Sequence, residues 1–217
     1  MNISNDVKTT VLTQALPYIQ RYTGKSIVVN YGGGFGENVT GLMSDIALLS
    51  AINVKVVLVH RQTENVNGML ELSAAVSAAG GKAIALCVSD KEVIENMLEL
   101  GYIPVVAALN NDADKIAAQI AGDIKAENII AVTDVLGVLK DDKDESTLIS
   151  EIYISDVPYL TKQGYIKDGM VDKVASCVEA MRRGVKKAFI INGAIPHAII
   201  LEMFSDEGIG TMLKGGI

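Results

Sequence analysis

The sequence predicts an α/β protein, a three-layer α-β-α sandwich in which helices cover both faces of a mainly parallel central sheet. Three observations indicate this fold class. Short apolar runs alternate with helical patterns along the whole chain. Hydrophobic residues make up 49% of the 217 residues and aromatic residues only 5%, so the buried side chains are mostly Val, Ile, Leu and Ala. The strands read as continuous apolar runs, which is typical of parallel strands buried on both faces.

The helices are predicted from apolar residues at three- and four-residue spacing and from capping residues at their ends. The first helix has Ser4 or Asn5 as its N-cap, and Gly80 and Gly101 are typical C-terminal stop signals. The predicted helices cover residues 4–22, 39–52, 66–79, 91–100, 112–125, 156–163, 169–183 and 196–204.

Between these helices lie short runs rich in β-branched residues, such as "VKVVLV" at 54–59. The predicted strands cover residues 26–30, 54–59, 82–87, 103–107, 128–132, 148–153, 187–191 and 209–213. No internal repeat or low-complexity linker interrupts this order, so we expect one compact domain over residues 1–217.

Composition excludes several functional classes. A net charge of −7 argues against a nucleic-acid groove, which needs clustered Lys and Arg. No apolar run is long enough to span a membrane, and the N-terminus lacks the apolar region of a signal peptide. Cys87 and Cys177 lie in a predicted strand and a predicted helix, where free thiols pack as small hydrophobic groups. We therefore expect two core thiols, a reducing compartment and a cytoplasmic protein.

Parallel sheets bind ligands beyond the carboxyl ends of their strands. Gly32, Gly33 and Gly34 follow the first strand, where their N–H groups either approach an anion or simply form a tight turn. His60 and Arg61 follow the second strand and either bind an anion or belong to a solvated loop.

A second polar cluster lies at the start of the helix over 112–125. Four polar residues within "LNNDAD" exceed what helix capping requires: Asn110, Asn111, Asp112 and Asp114. Thr133 and Asp134 directly follow the strand over 128–132, where Asp134 either orients a ligand or bonds the backbone of its own turn.

Lys173 lies one turn into the helix over 169–183, behind Asp168 as the predicted N-cap. An exposed lysine usually faces solvent. At the rim of one sheet, however, Asp114 and Lys173 suggest a complementary pair in which the carboxylate orients an ammonium group. Positioned cations of this kind catalyse phosphoryl transfer, whose transition state spreads negative charge over the transferred group.

Ordered motifs over nearly the whole chain resemble the acetylglutamate kinases, a branch of the amino acid kinase family. The similar segments are "ALPYIQRYTGKSIVVNYGG" (15–33), "SDIALLSAINVKVVLVH" (44–60), "GGKAIAL" (80–86), "ELGYIPVVA" (99–107), "NNDAD" (110–114), "TDVLGVLKD" (133–141) and the almost continuous stretch 164–213. The resemblance implies an N-terminal helix over 1–22, an acyl-amino-acid lobe over 23–107 and a nucleotide lobe over 108–217.

The resemblance also implies an activity, the transfer of the ATP γ-phosphoryl group to the side-chain carboxylate of N-acetyl-L-glutamate in arginine biosynthesis. Mg²⁺ would arrive with ATP and would not be bound by the protein. Lys173 and Asp114 would be catalytic, together with Asn30 at the position of a family lysine. The remaining implied roles are substrate binding by Gly32, Gly33 and Asn110, and nucleotide binding by Thr133, Asp134, Val135, Gly137, Val138 and Lys173.

Arginine-inhibited members of the family bind arginine between the N-terminal helix and the C-terminal segment. Here the matching residues are Tyr18, Glu202 and Gly208, so arginine is an expected effector. The family assembles as dimers, and in those members the N-terminal helix joins dimers into a hexameric ring. We therefore expect a homodimer or a homohexamer.

The chain departs from the family pattern around the implied active site. Asn30 replaces the lysine of "KYGG", and an amide cannot offset the charge that builds on a phosphoryl group. Residues 60–64 read "HRQTE" where the family has "HGGGP". The family segment "GLRVT", whose arginine binds the substrate carboxylate, has no counterpart between Met69 and Gly80, and the hairpin after the third strand is also missing.

Two functions therefore follow from the sequence. One is an acetylglutamate kinase with weak or lost catalysis. The other is a non-catalytic scaffold that assembles or binds arginine or a nucleotide.

Overall fold

The computed structural model describes residues 4–32, 38–61, 67–87, 89–108 and 113–215. The strands of this described part are β1 (Ser26–Tyr31), β2 (Lys55–Arg61), β3 (Ala83–Leu86), β4 (Ile103–Ala108), β5 (Asn128–Thr133), β6 (Glu151–Tyr153), β7 (Lys187–Asn192) and β8 (Thr211–Lys214). Its helices are α1 (Asn5–Tyr22), α2 (Val39–Ala51), α3 (Asn67–Ala78), α4 (Lys91–Glu99), α5 (Ala113–Asp123), α6 (Val157–Lys162), α7 (Gly169–Arg182) and α8 (Ala198–Met203).

The eight described strands form one sheet in the order β3-β4-β2-β1-β5-β7-β8-β6. Neighbouring strands are parallel except β7 and β8, which are antiparallel. β1 lies in the middle, where Asn30 is in register with Val59 of β2 and Ala131 of β5. The chain places β2 on one side of β1 and β5 on the other, so the strand order changes direction at β1. A crevice for ligands forms at such a switch point, beyond the carboxyl ends of the strands.

The helices bury one face each against the two sides of this sheet. Val28 of β1 packs in the core with α4, α5 and α7, whereas its neighbours Ile27 and Val29 pack with α2, α3 and α8. Successive strand residues point to opposite faces, so a strand buried on both sides has no polar face. The sequence prediction of a three-layer sandwich with a mainly parallel sheet is confirmed.

α1 contacts the rest of the chain mainly through its C-terminal end. Ser4 is its N-cap, since the Ser4 hydroxyl accepts a hydrogen bond from the Val7 N–H at 3.3 Å. Tyr22 is buried, and the Tyr22 and Tyr18 rings pack against Phe204. The first turns of the helix are exposed. No helix in the described part of the chain is both long and apolar enough to cross a membrane.

The predicted core position of Cys87 is wrong, because its side chain is exposed. β3 is one of the two edge strands of the described sheet and ends at Leu86, so Cys87 lies just beyond the part of the chain that packs against α3 and β4. Cys177 is buried in α7 as predicted, and burial raises the pKa of its thiol to about 12.

Candidate active site

Asp114 is the central residue of the candidate site, and it lies in the first turn of α5. Its side chain is 15% exposed, and its Oδ1 accepts a hydrogen bond of 2.6 Å from the Asn30 amide. The Lys173 Nζ lies 3.7 Å from the same oxygen, and an Arg61 terminal nitrogen lies 3.7 Å from the other oxygen, Oδ2. One carboxylate therefore connects side chains from β1, β2 and α7.

Asn30 is almost completely buried in β1, at the position that the resemblance assigns to a lysine. Its Nδ2 donates to Asp114, and its Oδ1 is buried with no hydrogen-bond partner in the part of the chain that the structure describes. Because the amide is neutral, the positive charge at Asp114 comes from Lys173 and Arg61 among the described residues.

Gly32 follows β1 and lets the backbone pass close to β5. A Cβ at this position would lie 3.1 Å from the Val132 carbonyl oxygen and 3.9 Å from the Lys173 Nζ. The Lys173 side chain is only 15% exposed, so it is not the solvent-facing lysine that the sequence left as an alternative. Gly33 and Asn110, the other two residues with an expected role in substrate binding, lie outside the described residues.

Arg61 and His60 separate at the end of β2. The Arg61 side chain reaches Asp114, whereas the His60 imidazole packs beside the Tyr31 ring and against Gly68 of α3. Burial lowers the pKa of His60, and a hydrogen bond with the Tyr31 backbone offsets this only in part. The two residues do not form a joint anion site. Sequence reasoning left Arg61 as either an anion ligand or a loop residue, and the structure places it in the candidate site.

Two cavities lie on either side of the Asp114–Lys173 pair. The larger one, about 530 Å³, runs between α5 and α7, with Arg61 and Asp114 in its wall. Ala118 and Ala175 contribute apolar wall, and Gln119 and Ser176 contribute polar groups.

The smaller cavity, about 270 Å³, contains Lys173 in its wall and lies beyond the end of β5. Most of the residues expected to bind a nucleotide line it, namely Thr133, Asp134, Val135, Gly137 and Lys173. An ion pair of 2.6 Å between Lys167 and Asp142 joins two parts of its wall, and this contact raises the pKa of Lys167.

Val138 does not line this cavity. Its side chain is buried in the core, and its backbone N–H donates to the Thr211 hydroxyl at 2.9 Å. A Cβ on Gly137 would overlap that hydroxyl, so the glycine permits the turn to pack against β8. Thr133 donates a hydrogen bond to Asp134 at 3.2 Å, which places both side chains at the rim.

Asp168 occupies the N-cap position of α7, but the predicted cap does not form. Its side chain makes no capping hydrogen bond, and its backbone has φ +47° and ψ −136°. This conformation is nearly restricted to glycine, so Asp168 stores strain at the wall of the smaller cavity.

The residues expected to bind arginine lie around a third cavity of about 400 Å³ near the end of α1. Glu202 is buried in its wall, and its carboxylate accepts hydrogen bonds from the N–H groups of Ile209 and Gly210 at 2.7 and 3.0 Å. Gly208 adopts a left-handed conformation beside this carboxylate. Tyr18 does not line the cavity itself, but its hydroxyl donates to Asp206, which does, at 2.7 Å.

Comparison with known proteins identifies the family of the chain. A family model described as the amino acid kinase family matches residues 21–192. The chain belongs to the amino acid kinase family. The acetylglutamate kinase of Brachyspira hyodysenteriae is 36% identical over 282 aligned positions, which cover 97% of this chain and 98% of the relative. That of Clostridium beijerinckii is 37% identical over 275 positions, which cover 94% and 96%.

These alignments are longer than the 217 residues of this chain. The two relatives therefore contain internal segments that have no counterpart here. This agrees with the shortened segments that the sequence pattern predicts.

Solved structures with a similar fold include three proteins of distant sequence. An N-acetylglutamate synthase of Neisseria gonorrhoeae, complexed with coenzyme A and N-acetyl-glutamate, has a TM-score of 0.81 at 19% identity, and the match covers 96% of this chain and 64% of that one. This chain thus spans slightly less than two thirds of the synthase. A carbamate kinase of Giardia lamblia has a TM-score of 0.68 and a UMP kinase of Ureaplasma parvum 0.64, both at 14% identity. At such identities the likeness establishes the fold alone.

Proposed function

We propose that this protein is a phosphotransferase of the acetylglutamate kinase type with low activity, which transfers the ATP γ-phosphoryl group to the side-chain carboxylate of N-acetyl-L-glutamate in the cytoplasm. The observation that carries the proposal is the Asp114–Lys173 pair, whose groups lie 3.7 Å apart with a cavity on each side. Two cavities that meet at a carboxylate and an ammonium group suit a phosphoryl donor on one side and a phosphoryl acceptor on the other. The acetylglutamate kinases among the relatives indicate which donor and acceptor these are.

The smaller cavity suits the nucleotide. Lys173 offers a cation for the phosphates, and the start of α7, a helix of fourteen residues, lies in the same wall. Mg²⁺ would arrive bound to the phosphates of ATP. Among the residues that the structure describes, no group of three or more His, Cys, Asp or Glu could hold a metal ion.

The larger cavity suits the acceptor. In the reaction, a carboxylate oxygen of the acceptor forms a bond to the γ-phosphorus, and the bond from that phosphorus to the bridging oxygen of ADP breaks. ADP keeps the electron pair of the broken bond. In this proposal Gly32 and Gly33 hold the phosphoryl group through backbone N–H groups, and Asn110 faces the acceptor. Asp114 holds the cations in place, and Lys173 neutralises charge on the transferred group.

We expect the rate to be low for two reasons. Asn30 brings no charge, and loss of one positioned electrostatic group commonly costs about a hundredfold in rate. The arginine segment that would bind the acceptor carboxylate is also missing from the sequence. Asn30→Lys alone should therefore recover little activity.

A coupled assay that detects ADP formation tests this proposal with acetylglutamate as the acceptor. We expect slow turnover that depends on acetylglutamate and falls further in Lys173→Ala. Calorimetry with Mg-ATP should show binding in the micromolar to millimolar range, which Lys173→Ala weakens. Turnover as fast as that of an ordinary metabolic kinase would contradict the proposed loss of rate, and absence of ATP binding would contradict the proposed nucleotide site.

A second candidate is a non-catalytic protein that binds arginine. The third cavity favours it, because Glu202, Asp206 and Glu207 lie in its wall and carboxylates attract a guanidinium group. Calorimetry with L-arginine, with L-citrulline as the uncharged control, tests this candidate. Arginine binding without any acetylglutamate-dependent ADP formation would favour it over the kinase.

A further inference from the structure

We infer that Arg61 supplies a second positive charge to the transferred phosphoryl group, on the opposite side of Asp114 from Lys173. The inference rests on the proposed phosphoryl transfer and assigns a role to Arg61, which lies within residues 60–64, where the family pattern "HGGGP" is replaced. Four features of the structure lead to it.

The first feature is position. Arg61 is the last residue of β2, next to β1 and in register with Ala108 at the end of β4. Its guanidinium and the Lys173 ammonium each lie 3.7 Å from a different oxygen of Asp114. The carboxylate therefore holds two cations from two separate elements.

The second feature is the charge of the site. Among the described residues at this carboxylate, Asp114 contributes one negative charge, Lys173 one positive charge and Asn30 none. Without Arg61 these charges would cancel. With Arg61 the groups at this carboxylate carry one net positive charge, while the other charged residues in the wall of the larger cavity, Lys115, Asp172, Glu179 and Arg183, balance one another. A local positive charge at the carboxylate favours a phosphoryl group.

The third feature is unsatisfied hydrogen bonding. At 3.7 Å neither cation is within hydrogen-bond distance of Asp114, so the carboxylate orients them without using their donors. The Nε of Arg61 is buried and has no hydrogen-bond partner among the described residues. The Arg61 side chain as a whole is 39% exposed at the wall of the larger cavity, so a ligand oxygen can reach the exposed part of the guanidinium group and not the covered Nε. Phosphoryl oxygens suit the planar guanidinium group well.

The fourth feature is the arrangement of the cavities. Arg61 is in the wall of the larger cavity and Lys173 in the wall of the smaller one, with Asp114 between them. A phosphoryl group that leaves a nucleotide in the smaller cavity moves away from Lys173 and towards Arg61. The guanidinium keeps its proton throughout, and its role is to stabilise negative charge as the bond to ADP breaks and the bond to the acceptor forms.

Calorimetry with two nucleotides tests this role without requiring turnover. Mg-AMP-PNP carries a γ-phosphoryl group and Mg-ADP does not. Removal of a side chain that contacts the γ-phosphoryl group therefore lowers the affinity for AMP-PNP and not the affinity for ADP. Arg61→Gln removes the charge but keeps a polar side chain, and Arg61→Lys restores the charge. Arg182→Gln is the matched control, because Arg182 is exposed on α7 and lines neither cavity.

We expect Arg61→Gln to weaken AMP-PNP binding about tenfold, as loss of one charge-assisted contact implies, and ADP binding less than about twofold. Arg61→Lys should recover most of the AMP-PNP affinity, and Arg182→Gln should change neither affinity. Thermal melting of each variant shows that it is folded. If Arg61→Gln proves unfolded, Arg61→Met takes its place as the variant without the charge and is compared with Arg61→Lys. We then expect weaker AMP-PNP binding in Arg61→Met and not in Arg61→Lys.

Two contrary results are distinguishable. In the first, Lys173→Ala weakens AMP-PNP binding and Arg61→Gln does not, or Arg61→Gln lowers the affinity for AMP-PNP and for ADP by the same factor. Either outcome overturns the role of Arg61 and leaves the proposed function standing. If the unmodified protein binds neither nucleotide, the proposed function fails and this role fails with it.

Discussion

Asp168 adopts a backbone conformation that suits glycine and not an L-residue, with φ +47° and ψ −136°. Its side chain makes no capping hydrogen bond that would offset the strain. We expect Asp168→Gly to raise the free energy of unfolding by about 1 kcal/mol, because relief of about 1–3 kcal/mol of strain exceeds the entropic cost of a glycine.

Urea unfolding at equilibrium measures this change. Asp168→Ala is the matched control, because it removes the same carboxylate and keeps the strained backbone. Equal stabilisation in the two variants would show that the carboxylate, and not the backbone, is the source of the effect.

Cys177 and Cys87 should differ in reactivity and in their effect on stability at high pH. Cys87 is exposed, whereas burial raises the pKa of Cys177 from 9.0 to about 12. The unfolded chain ionises the Cys177 thiol above pH 9 and the folded chain does not, so stability falls as the pH rises from about 9 towards 12. At pH 10 this loss amounts to about 1 kcal/mol.

Urea unfolding at pH 8 and pH 10 checks this, with Cys177→Ala as the variant that lacks the thiol. Between pH 8 and pH 10 the free energy of unfolding should fall by about 1 kcal/mol less in the variant than in the unmodified protein. In addition, a thiol reagent should modify one cysteine in native buffer and two in denaturant. Rapid modification of both in native buffer would contradict the buried position of Cys177.

Among the helices, α8 is tied to β8 by a single buried carboxylate. Glu202 accepts hydrogen bonds from the Ile209 and Gly210 N–H groups in the turn that leads into β8. β8 matters for the candidate site because Thr211 holds the turn at Val138 through its hydroxyl. Glu202→Ala leaves both N–H groups without their acceptor, and we expect it to lower the free energy of unfolding by about 2–3 kcal/mol.

Glu202→Gln keeps an acceptor oxygen at the same position. It should therefore lower the free energy of unfolding by less than half as much as Glu202→Ala does. Urea unfolding of both variants provides the comparison. Equal losses would indicate that the negative charge, and not the hydrogen bonds, stabilises this turn.

The elements themselves were predictable from the sequence for local reasons. β1, β4 and β5 are apolar runs that follow a turn, and α4 ends before Gly101, which has φ +77°. These signals are short-range, so the observed bounds lie close to the predicted ones. The antiparallel entry of β8 beside β7 is not encoded locally, because it depends on how the segment after α8 folds back.

The candidate site was predictable only in part, for a related reason. Asp114 and Lys173 were paired from their places at strand and helix ends, and they do lie together. His60 and Arg61 are consecutive residues of β2, so their side chains point to opposite faces. The order of the strands, and not the two residues themselves, decides which side chain points towards α5 and so reaches Asp114. Sequence alone therefore left Arg61 unresolved.

In a single chain, the first three turns of α1 present an apolar surface to solvent. Val7, Val11, Leu12 and Leu16 are each at least half exposed, and Leu12 reaches 70%. Ile19 and Ala15 are partly covered, because only the C-terminal end of the helix packs against its own domain near Phe204. Such a stripe is rarely left uncovered in monomers, so we expect a second chain to pack on it in a homodimer or a homohexamer.

Light scattering over a range of protein concentrations tests this assembly. The unmodified protein should have the mass of a dimer or a larger oligomer, and Leu12→Glu should lower that mass because a carboxylate in an apolar interface loses its hydration. Thr13→Glu is the matched control, because it adds the same charge to the same helix and, by helical spacing, on the side away from the stripe. A monomeric unmodified protein would refute the assembly. If Leu12→Glu and the unmodified protein have the same mass above that of a monomer, the chains associate through a surface other than α1.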